Sequence, residues 1–152
     1  MARHYGVAVK AFNISREQVA YARKRARREA LADRVEFVAD DWRNMNQPSN
    51  AFVAVGMLEH VGLANYWRLG DCIRRCVAPH GRGFIHTIGQ THPQPLNPWI
   101  ERRIFPGAYP PTLAQIMEVL EPHNFAVMDV ENLRLHYAQT LWHWRDRYEQ
   151  SV

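Results

Sequence analysis

Short apolar runs recur along the first ninety residues, separated by segments with helical spacing or polar composition. These runs predict four strands, at residues 6–13, 34–39, 51–57 and 82–89. The run at 51–57 (AFVAVGM) is apolar throughout, which is typical of a strand buried on both faces of a parallel sheet.

Two helices are predicted between the strands. Ser15 and Gln18 have the spacing of a capping box at the start of the first helix. Its apolar stripe consists of Val19, Ala22, Ala26 and Ala30. The second helix is predicted at 66–77 and is expected to end before Pro79 and Gly81. This alternation predicts an α/β fold in which a parallel sheet carries helices on its faces.

A segment rich in proline and aromatic residues occupies positions 90–111. Dense prolines disfavour regular structure, and a segment of this length is more typical of a functional lid than of a passive linker. Beyond it, the pattern predicts helices at 112–120 and 138–148 and a strand at 125–130. No internal repeat divides the sequence, so the whole chain is predicted to form one domain.

Composition and charge narrow this picture only a little. The hydrophobic fraction of 47% and the charged fraction of 22% are ordinary for a globular protein. No apolar run is long enough to span a bilayer and no signal peptide is visible, so we predict a cytoplasmic protein. The net charge of +4 permits an anionic partner, whether nucleic acid, a membrane surface or an acidic substrate.

The two cysteines, Cys72 and Cys76, lie four residues apart on a predicted helix and therefore share one face. A disulfide or half of a metal site would fit this spacing. However, a metal site needs further ligands, and cytosolic thiols are normally reduced. We therefore predict two thiols in the hydrophobic core and no metal site.

Candidate chemistry lies just after the predicted strands, where ligands bind in open α/β sheets. Asp40, Asp41 and Trp42 follow the second strand, and two carboxylates beside an indole suit a nucleoside, although a solvated turn is the commoner interpretation. Glu59 follows the third strand, and His86 lies in the fourth. Buried, these two side chains need partners, so they either handle a proton or serve as a helix cap and a hydrogen-bonded core histidine.

Five sequence segments, in this order and at compatible spacing, make the chain resemble a known family. They are NISREQ (13–18), VGMLEHVG (55–62), HTIG (86–89), NPWIERRIFPG (97–107) and LHYAQTL (135–141). Over nearly its whole length the chain resembles the cyclopropane-fatty-acyl-phospholipid synthases and the related mycolic acid cyclopropane synthases. The resemblance implies the class I methyltransferase fold, a Rossmann-like seven-stranded sheet flanked by helices.

The resemblance also implies two ligands, S-adenosylmethionine and bicarbonate. The residues expected to contact the methyl donor are Asn13, Ile14, Gln18, Asp40, Asp41, Trp42 and Gly56. Those expected to hold bicarbonate are Glu59, His86, Tyr137 and the backbone of Ile88. In this chemistry an alkene attacks the sulfonium methyl, and bicarbonate then removes a proton so that the ring closes.

Further residues have roles only through this resemblance. Tyr109 and Trp99 are candidates for stabilising the carbocation with their aromatic faces. Arg102 and Arg103 either meet a phospholipid headgroup or form a solvated helix face. The implied partner is an unsaturated phospholipid at the inner face of the membrane, with a second copy of the chain as a further candidate and no nucleic acid.

Two alternative functions stay open at this stage. An enzyme of the same fold could methylate a small amine, because some plant N-methyltransferases share similar segments. A basic helix at 16–28 could instead bind nucleic acid or an anionic membrane.

The resemblance starts just after the glycine-rich loop that follows the first strand of class I methyltransferases, and it stops before their last strand. The family's first strand lies at the centre of the sheet, between its second and fourth strands. We therefore expect a fragment that exposes two unpaired strand edges and that has weak activity or none by itself. Micromolar binding of S-adenosylmethionine by residues 1–152 would contradict this expectation.

Overall fold

Residues 1–151 are described by a computed structural model in which four strands and seven α-helices are joined by turns. The strands are β1 (Val9–Phe12), β2 (Val35–Val38), β3 (Ser49–Val55) and β4 (Val77–His86). The helices are α1 (Ala2–Tyr5), α2 (Arg16–Arg28), α3 (Leu58–Val61), α4 (Tyr66–Cys76), α5 (Pro98–Arg103), α6 (Leu113–Leu120) and α7 (Arg134–Glu149). Short 3-10 turns cover Trp42–Asn44, Leu63–Asn65 and Glu121–His123. Among the helices of these residues, none is both long enough and apolar enough to cross a membrane.

The strands form two separate parallel pairs. β1 pairs with β2, placing Val9 opposite Val35, and β3 pairs with β4, placing Val55 opposite His86. Within residues 1–151, no ladder joins β1 to β3. The parallel direction confirms the predicted fold class, and the separation of the two pairs agrees with the expectation that no central strand lies between them in this chain.

β3 has one covered and one exposed face. Ala54 is buried and Phe52 packs against the core, whereas Val53 and Val55 are 43% and 63% exposed. The prediction of a strand buried on both faces is therefore wrong. The core built by α3, α4 and α6 covers one face, and nothing packs over the outward side chains in the part of the chain that the structure describes.

The hydrophobic core lies where α3, α4 and α6 meet. Its buried members are Leu58, Val61, Tyr66, Leu69, Ile73 and Val119. Gly70 lets α4 and α6 approach closely, because a Cβ here would overlap the carbonyl oxygen of Val119 and the ring of His123. Cys72 and Cys76 are buried free thiols, as predicted. Over residues 1–151, no group of side chains is arranged to hold a metal ion.

Two predicted element boundaries are wrong. Ala30 lies beyond the end of α2, is exposed and has a φ of 52°, so it does not extend the apolar stripe. α4 ends before Pro79 and Gly81 as predicted, but it leads directly into β4, which begins at Val77 instead of Arg82 and contains both residues. The pairing of β3 with β4 shifts register between Ser49 and Ala51, and this irregularity accommodates the extra residues of β4.

The last thirty residues depart most from the prediction. No strand forms at 125–130, where Val127, Met128 and Val130 are exposed. A strand requires a neighbour for its backbone hydrogen bonds, and this segment has none among the described residues. α7 begins four residues earlier than predicted, and none of its residues is buried. The segment at 90–111 is irregular as expected, except for α5.

Candidate active site

The carboxyl ends of the strands carry the side chains singled out by the sequence. Asn13 follows β1, Asp40 lies two residues after β2, Gly56 follows β3 and His86 ends β4. Within each parallel pair these ends lie at the same edge, because the two strands run in the same direction. Two clusters of polar groups result, one beyond β1 and β2 and the other beyond β3 and β4.

Asn13 and Gln18 are held together beyond β1. Asn13 Nδ2 donates to Gln18 Oε1 at 2.8 Å, and the N–H of Ser15 donates to Asn13 Oδ1 at 2.8 Å. Ser15 Oγ accepts from the Gln18 N–H at 3.2 Å, so Ser15 caps α2, while the Gln18 side chain turns to Asn13 instead of completing a capping box. Asn13 and Gln18 line an open cavity of about 520 Å³. Ile14 is exposed.

The turn after β2 is stabilised by its own carboxylates. Asp40 Oδ1 accepts from Asn44 Nδ2 at 2.8 Å and from the Asp41 N–H at 2.7 Å, and these bonds lower the pKa of Asp40. Asp41 accepts from both the N–H and the guanidinium of Arg43, at 2.9 and 2.7 Å. The Arg43 guanidinium lies 4.9 Å from the centre of the Trp42 ring. The turn therefore holds two hydrogen-bonded carboxyl groups beside an indole.

Gly56 leaves open space at the end of β3. Its φ is 57°, a conformation that glycine adopts without steric cost, and its N–H donates to the His86 carbonyl at 2.9 Å. A Cβ at this position would meet nothing within 4 Å. A ligand can therefore approach the backbone closely at this point.

Glu59 carries the buried carboxyl group of the second cluster. It lies on α3 and is only 6% exposed. Its Oε1 accepts from the backbone N–H of Ile88 at 2.6 Å, a bond that joins the segments following β3 and β4. Its Oε2 is buried and has no hydrogen-bond partner within residues 1–151. A buried carboxylate oxygen without a donor is costly, so this atom is suited to bind a ligand that carries a hydrogen.

His86 and Tyr137, the other two side chains expected around bicarbonate, are both exposed in the structure. His86 is exposed at the end of β4, so the interpretation of a buried core histidine is wrong. Tyr137 is exposed on α7, where its ring packs edge-on against Trp144 at 6.4 Å. Within residues 1–151, neither side chain forms a hydrogen bond to Glu59.

Two tyrosines lie beside Glu59: Tyr109, which was a candidate for stabilising the carbocation, and Tyr66, which the sequence pattern did not single out. The Tyr109 N–H donates to the Glu59 carbonyl at 2.8 Å. Tyr66 is 1% exposed, and its hydroxyl donates to the Leu58 carbonyl at 3.2 Å. Burial, and then the charge of Glu59, raise the pKa of Tyr66. On a helix, periodicity does not separate such a tyrosine from other core residues, so the sequence held no signal for this contact.

The aromatic and basic side chains of α5 lie elsewhere. Trp99, Arg102 and Arg103 are exposed and line an open cavity of about 640 Å³. Its walls contain neither Glu59 nor Asn13. The two arginines therefore form a solvated helix face in this structure, and this cavity is separate from both polar clusters.

Comparison with known proteins decides the family. The family model described as mycolic acid cyclopropane synthetase matches residues 1–152. The chain belongs to this family. It is thereby related to S-adenosylmethionine-dependent methyltransferases, as the five sequence segments indicated.

Curated relatives match almost all of the chain. It is 36% identical over 149 residues to the cyclopropane-fatty-acyl-phospholipid synthase of Escherichia coli. This match covers 97% of the chain and 38% of that protein. It is 35% identical over 159 residues to a probable fatty acid methyltransferase of Pseudomonas putida, covering 99% of the chain and 40% of that protein. The chain thus spans about two fifths of the length of these relatives.

Solved structures agree with the fold. The cyclopropane synthase MmaA2 from Mycobacterium tuberculosis superimposes with a TM-score of 0.88 at 25% identity, over 98% of this chain and 57% of that one. The mycolic acid cyclopropane synthase CmaA1, complexed with SAH and CTAB, gives 0.86 at 23% identity, over 99% of this chain and 57% of that one. These likenesses confirm a partial Rossmann-like methyltransferase fold.

Proposed function

We propose that the protein containing these residues transfers a methylene group from S-adenosylmethionine to the cis double bond of an unsaturated phospholipid acyl chain. The observation that carries the proposal is the carboxylate of Glu59, which is buried at the end of a strand pair, oriented by Ile88 and left with one unpartnered oxygen. The names of the curated relatives, which include a phospholipid synthase and a fatty acid methyltransferase, support a lipid substrate.

The cluster beyond β1 and β2 fits the methyl donor. Asp40 has no hydrogen bond to its Oδ2 within residues 1–151, so this oxygen is available to accept from a ribose hydroxyl. Asn13 and Gln18 present amide groups at the wall of a cavity, and Trp42 offers an aromatic surface for the adenine. When bound, S-adenosylmethionine supplies an electrophilic sulfonium methyl group.

The unpartnered oxygen of Glu59 fits bicarbonate, which has one O–H to donate and further oxygens to accept. When bound, bicarbonate supplies a base for the proton that must leave before a ring closes. Glu59 would hold this group by accepting its hydrogen bond through Oε2. The N–H of Ile88 is already donated to Oε1, so in this geometry the backbone of Ile88 orients Glu59.

We further propose that residues 1–152 by themselves perform this reaction weakly. His86 and Tyr137 are the other two side chains expected around bicarbonate, and within residues 1–151 both are exposed and form no hydrogen bond to Glu59. Catalysis by positioned groups is lost steeply when they are displaced. The substrate would be met at a membrane surface, where unsaturated phospholipids reside.

Incubation with vesicles of unsaturated phospholipid and S-adenosylmethionine tests the proposal. We expect acyl chains to gain the mass of one methylene group, with the natural protein that contains residues 1–152 far more active than these residues alone. Glu59→Gln should reduce the rate at least about 100-fold, the low end for loss of a positioned proton-transfer system. Glu101→Gln, on the exposed helix α5, is the matched control and should keep full activity. Methylation of a small amine in place of the lipid would contradict the proposal.

A further inference from the structure

The helix that carries Glu59 is too short to stabilise itself. α3 is a single turn of four residues, Leu58–Val61. In any helix the last four carbonyl groups have no partner inside the helix. Because α3 has only four residues, all of its carbonyl groups are in this position. Three of its four residues are buried, so water is poorly placed to satisfy these carbonyls.

Three donors from outside α3 satisfy its carbonyl oxygens. The Tyr66 hydroxyl donates to Leu58 at 3.2 Å, the Tyr109 N–H donates to Glu59 at 2.8 Å, and Asn65 Nδ2 donates to Val61 at 2.8 Å. Two of these donors lie immediately after α3 in the sequence, and the third comes from the proline-rich segment. The turn is therefore held at three of its four carbonyl groups, including that of Glu59.

Of the three donors, Tyr66 is the one without an alternative. Its side chain is 1% exposed and belongs to the hydrophobic core together with Leu69 and Ile73. Water cannot replace its hydroxyl there, whereas Asn65 and Tyr109 are only half-buried. Because its pKa is raised, Tyr66 stays protonated and acts as a donor throughout the physiological range.

We propose that Tyr66 is a positioning residue for Glu59. Its hydroxyl fixes the backbone of α3 and thereby sets the hydrogen bond from the Ile88 N–H to Glu59 Oε1 and the direction of the unpartnered Oε2. The consequence for turnover rests on the proposed function of Glu59, but the structural coupling does not.

Tyr66→Phe tests this coupling, since it removes the hydroxyl and keeps the ring that fills the core. Hydrogen exchange of the natural protein, resolved by mass spectrometry, reports on the Ile88 amide. We expect its exchange to accelerate about five- to tenfold, the factor for loss of one hydrogen bond, while amides of the α4 core keep their protection. Tyr109→Phe is the matched control, because its backbone donor to Glu59 is unchanged, and Ile88 should exchange as in the original protein.

Kinetics separate positioning from general destabilisation. In Tyr66→Phe, kcat for methylene transfer should fall about tenfold with KM for S-adenosylmethionine unchanged, since the donor cluster lies elsewhere. Asn65→Ala, which removes a second donor at a half-buried site, should change both readouts in the same direction by a smaller factor, and it serves if Tyr66→Phe does not fold. Unchanged Ile88 exchange in Tyr66→Phe, or equal acceleration at every amide, would overturn the inference, and if Tyr66→Phe does not fold, unchanged exchange in Asn65→Ala would do so. Accelerated Ile88 exchange without any methylene transfer by the original protein would leave the inference standing and refute the proposed function.

Discussion

The helices α4 and α7 are both rich in aromatic and aliphatic side chains, yet they have opposite fates. Six of the eleven residues of α4 are buried, and none of the sixteen of α7 is. In α4 the apolar positions recur on one face, at Tyr66, Leu69, Ile73 and Cys76. In α7 the residues Tyr137, Leu141, Trp144 and Tyr148 also share one face, yet none of them is buried in the part of the chain that the structure describes. An apolar face therefore becomes core only where another element covers it.

The same contrast separates the predicted catalytic groups. Glu59 lies on a turn fixed by three outside donors next to the core. Tyr137 lies on α7, where its packing partner is Trp144 of the same helix. In residues 1–151, a preorganised environment therefore exists for one of these two groups and not for the other.

The largest loss of stability is expected for a substitution in the hydrophobic core on α4. Leu69→Ala removes a side chain that is fully buried and should lower the free energy of unfolding by about 2–5 kcal/mol. Leu141→Ala on α7, where the side chain is 45% exposed, should change it by less than about 0.5 kcal/mol. Urea unfolding of the two variants measures the difference, and similar losses would show that α7 is packed after all.

A smaller loss is expected where α4 and α6 touch. Gly70→Ala places a methyl group against the Val119 carbonyl and the His123 ring, so the helices must separate at a cost of about 1–3 kcal/mol. Gly83→Ala is the control, because a Cβ there meets nothing within 4 Å and the residue lies in the exposed part of β4. Thermal unfolding compares the two, and a tolerated Gly70→Ala would refute the close contact.

The N-caps of α6 and α2 should also contribute unequally to stability, because one is buried and the other is only half-buried. Thr112 is buried and forms a complete capping box with Gln115 at the start of α6, and Thr112→Ala should cost about 1–2 kcal/mol. Ser15 caps α2 without a capping box and at a half-buried position, and Ser15→Ala should cost about 0.5 kcal/mol. Equal shifts of the urea midpoint would contradict this ranking.

The effect that is smallest at neutral pH, where the thiol is protonated in both states, concerns the buried Cys72. Burial raises the pKa of the Cys72 thiol from 9.0 to about 11. Between these values the unfolded state releases the thiol proton while the folded state retains it, so the free energy of unfolding falls as pH rises through this interval. In Cys72→Ala this part of the decline should disappear, which unfolding curves at several pH values would reveal. An unchanged slope would mean that the thiol titrates normally in the fold.

Much of the architecture was predictable because its signals are local. The four strands and the helices α2, α4 and α6 follow from spacings of a few residues. The family followed from five motifs, and Glu59 could be singled out because a carboxylate after an apolar strand needs a partner. The prediction of a strand at 125–130 was wrong because the apolar pattern that suggested it is local. A strand also needs a neighbouring strand for its backbone hydrogen bonds, and a local pattern does not show whether one is present.

The cysteines show which properties a local pattern predicts and which it does not. Their spacing placed both on one helix face, and cytosolic chemistry favoured reduced thiols, which is what the structure contains. The raised pKa of Cys72, by contrast, depends on the neighbours that exclude water from it.

By itself, the sequence determined the family, the parallel α/β character and the position of Glu59 after β3, since these depend on residue types and short spacings. Only the tertiary structure decided which face of β3 is covered, that no residue of α7 is buried within residues 1–151, and that Ile88, Tyr66 and Tyr109 surround the turn carrying Glu59. Glu59 and Ile88 are 29 positions apart. Burial and hydrogen bonding at such a distance arise when separate elements pack together, and no local pattern records that event.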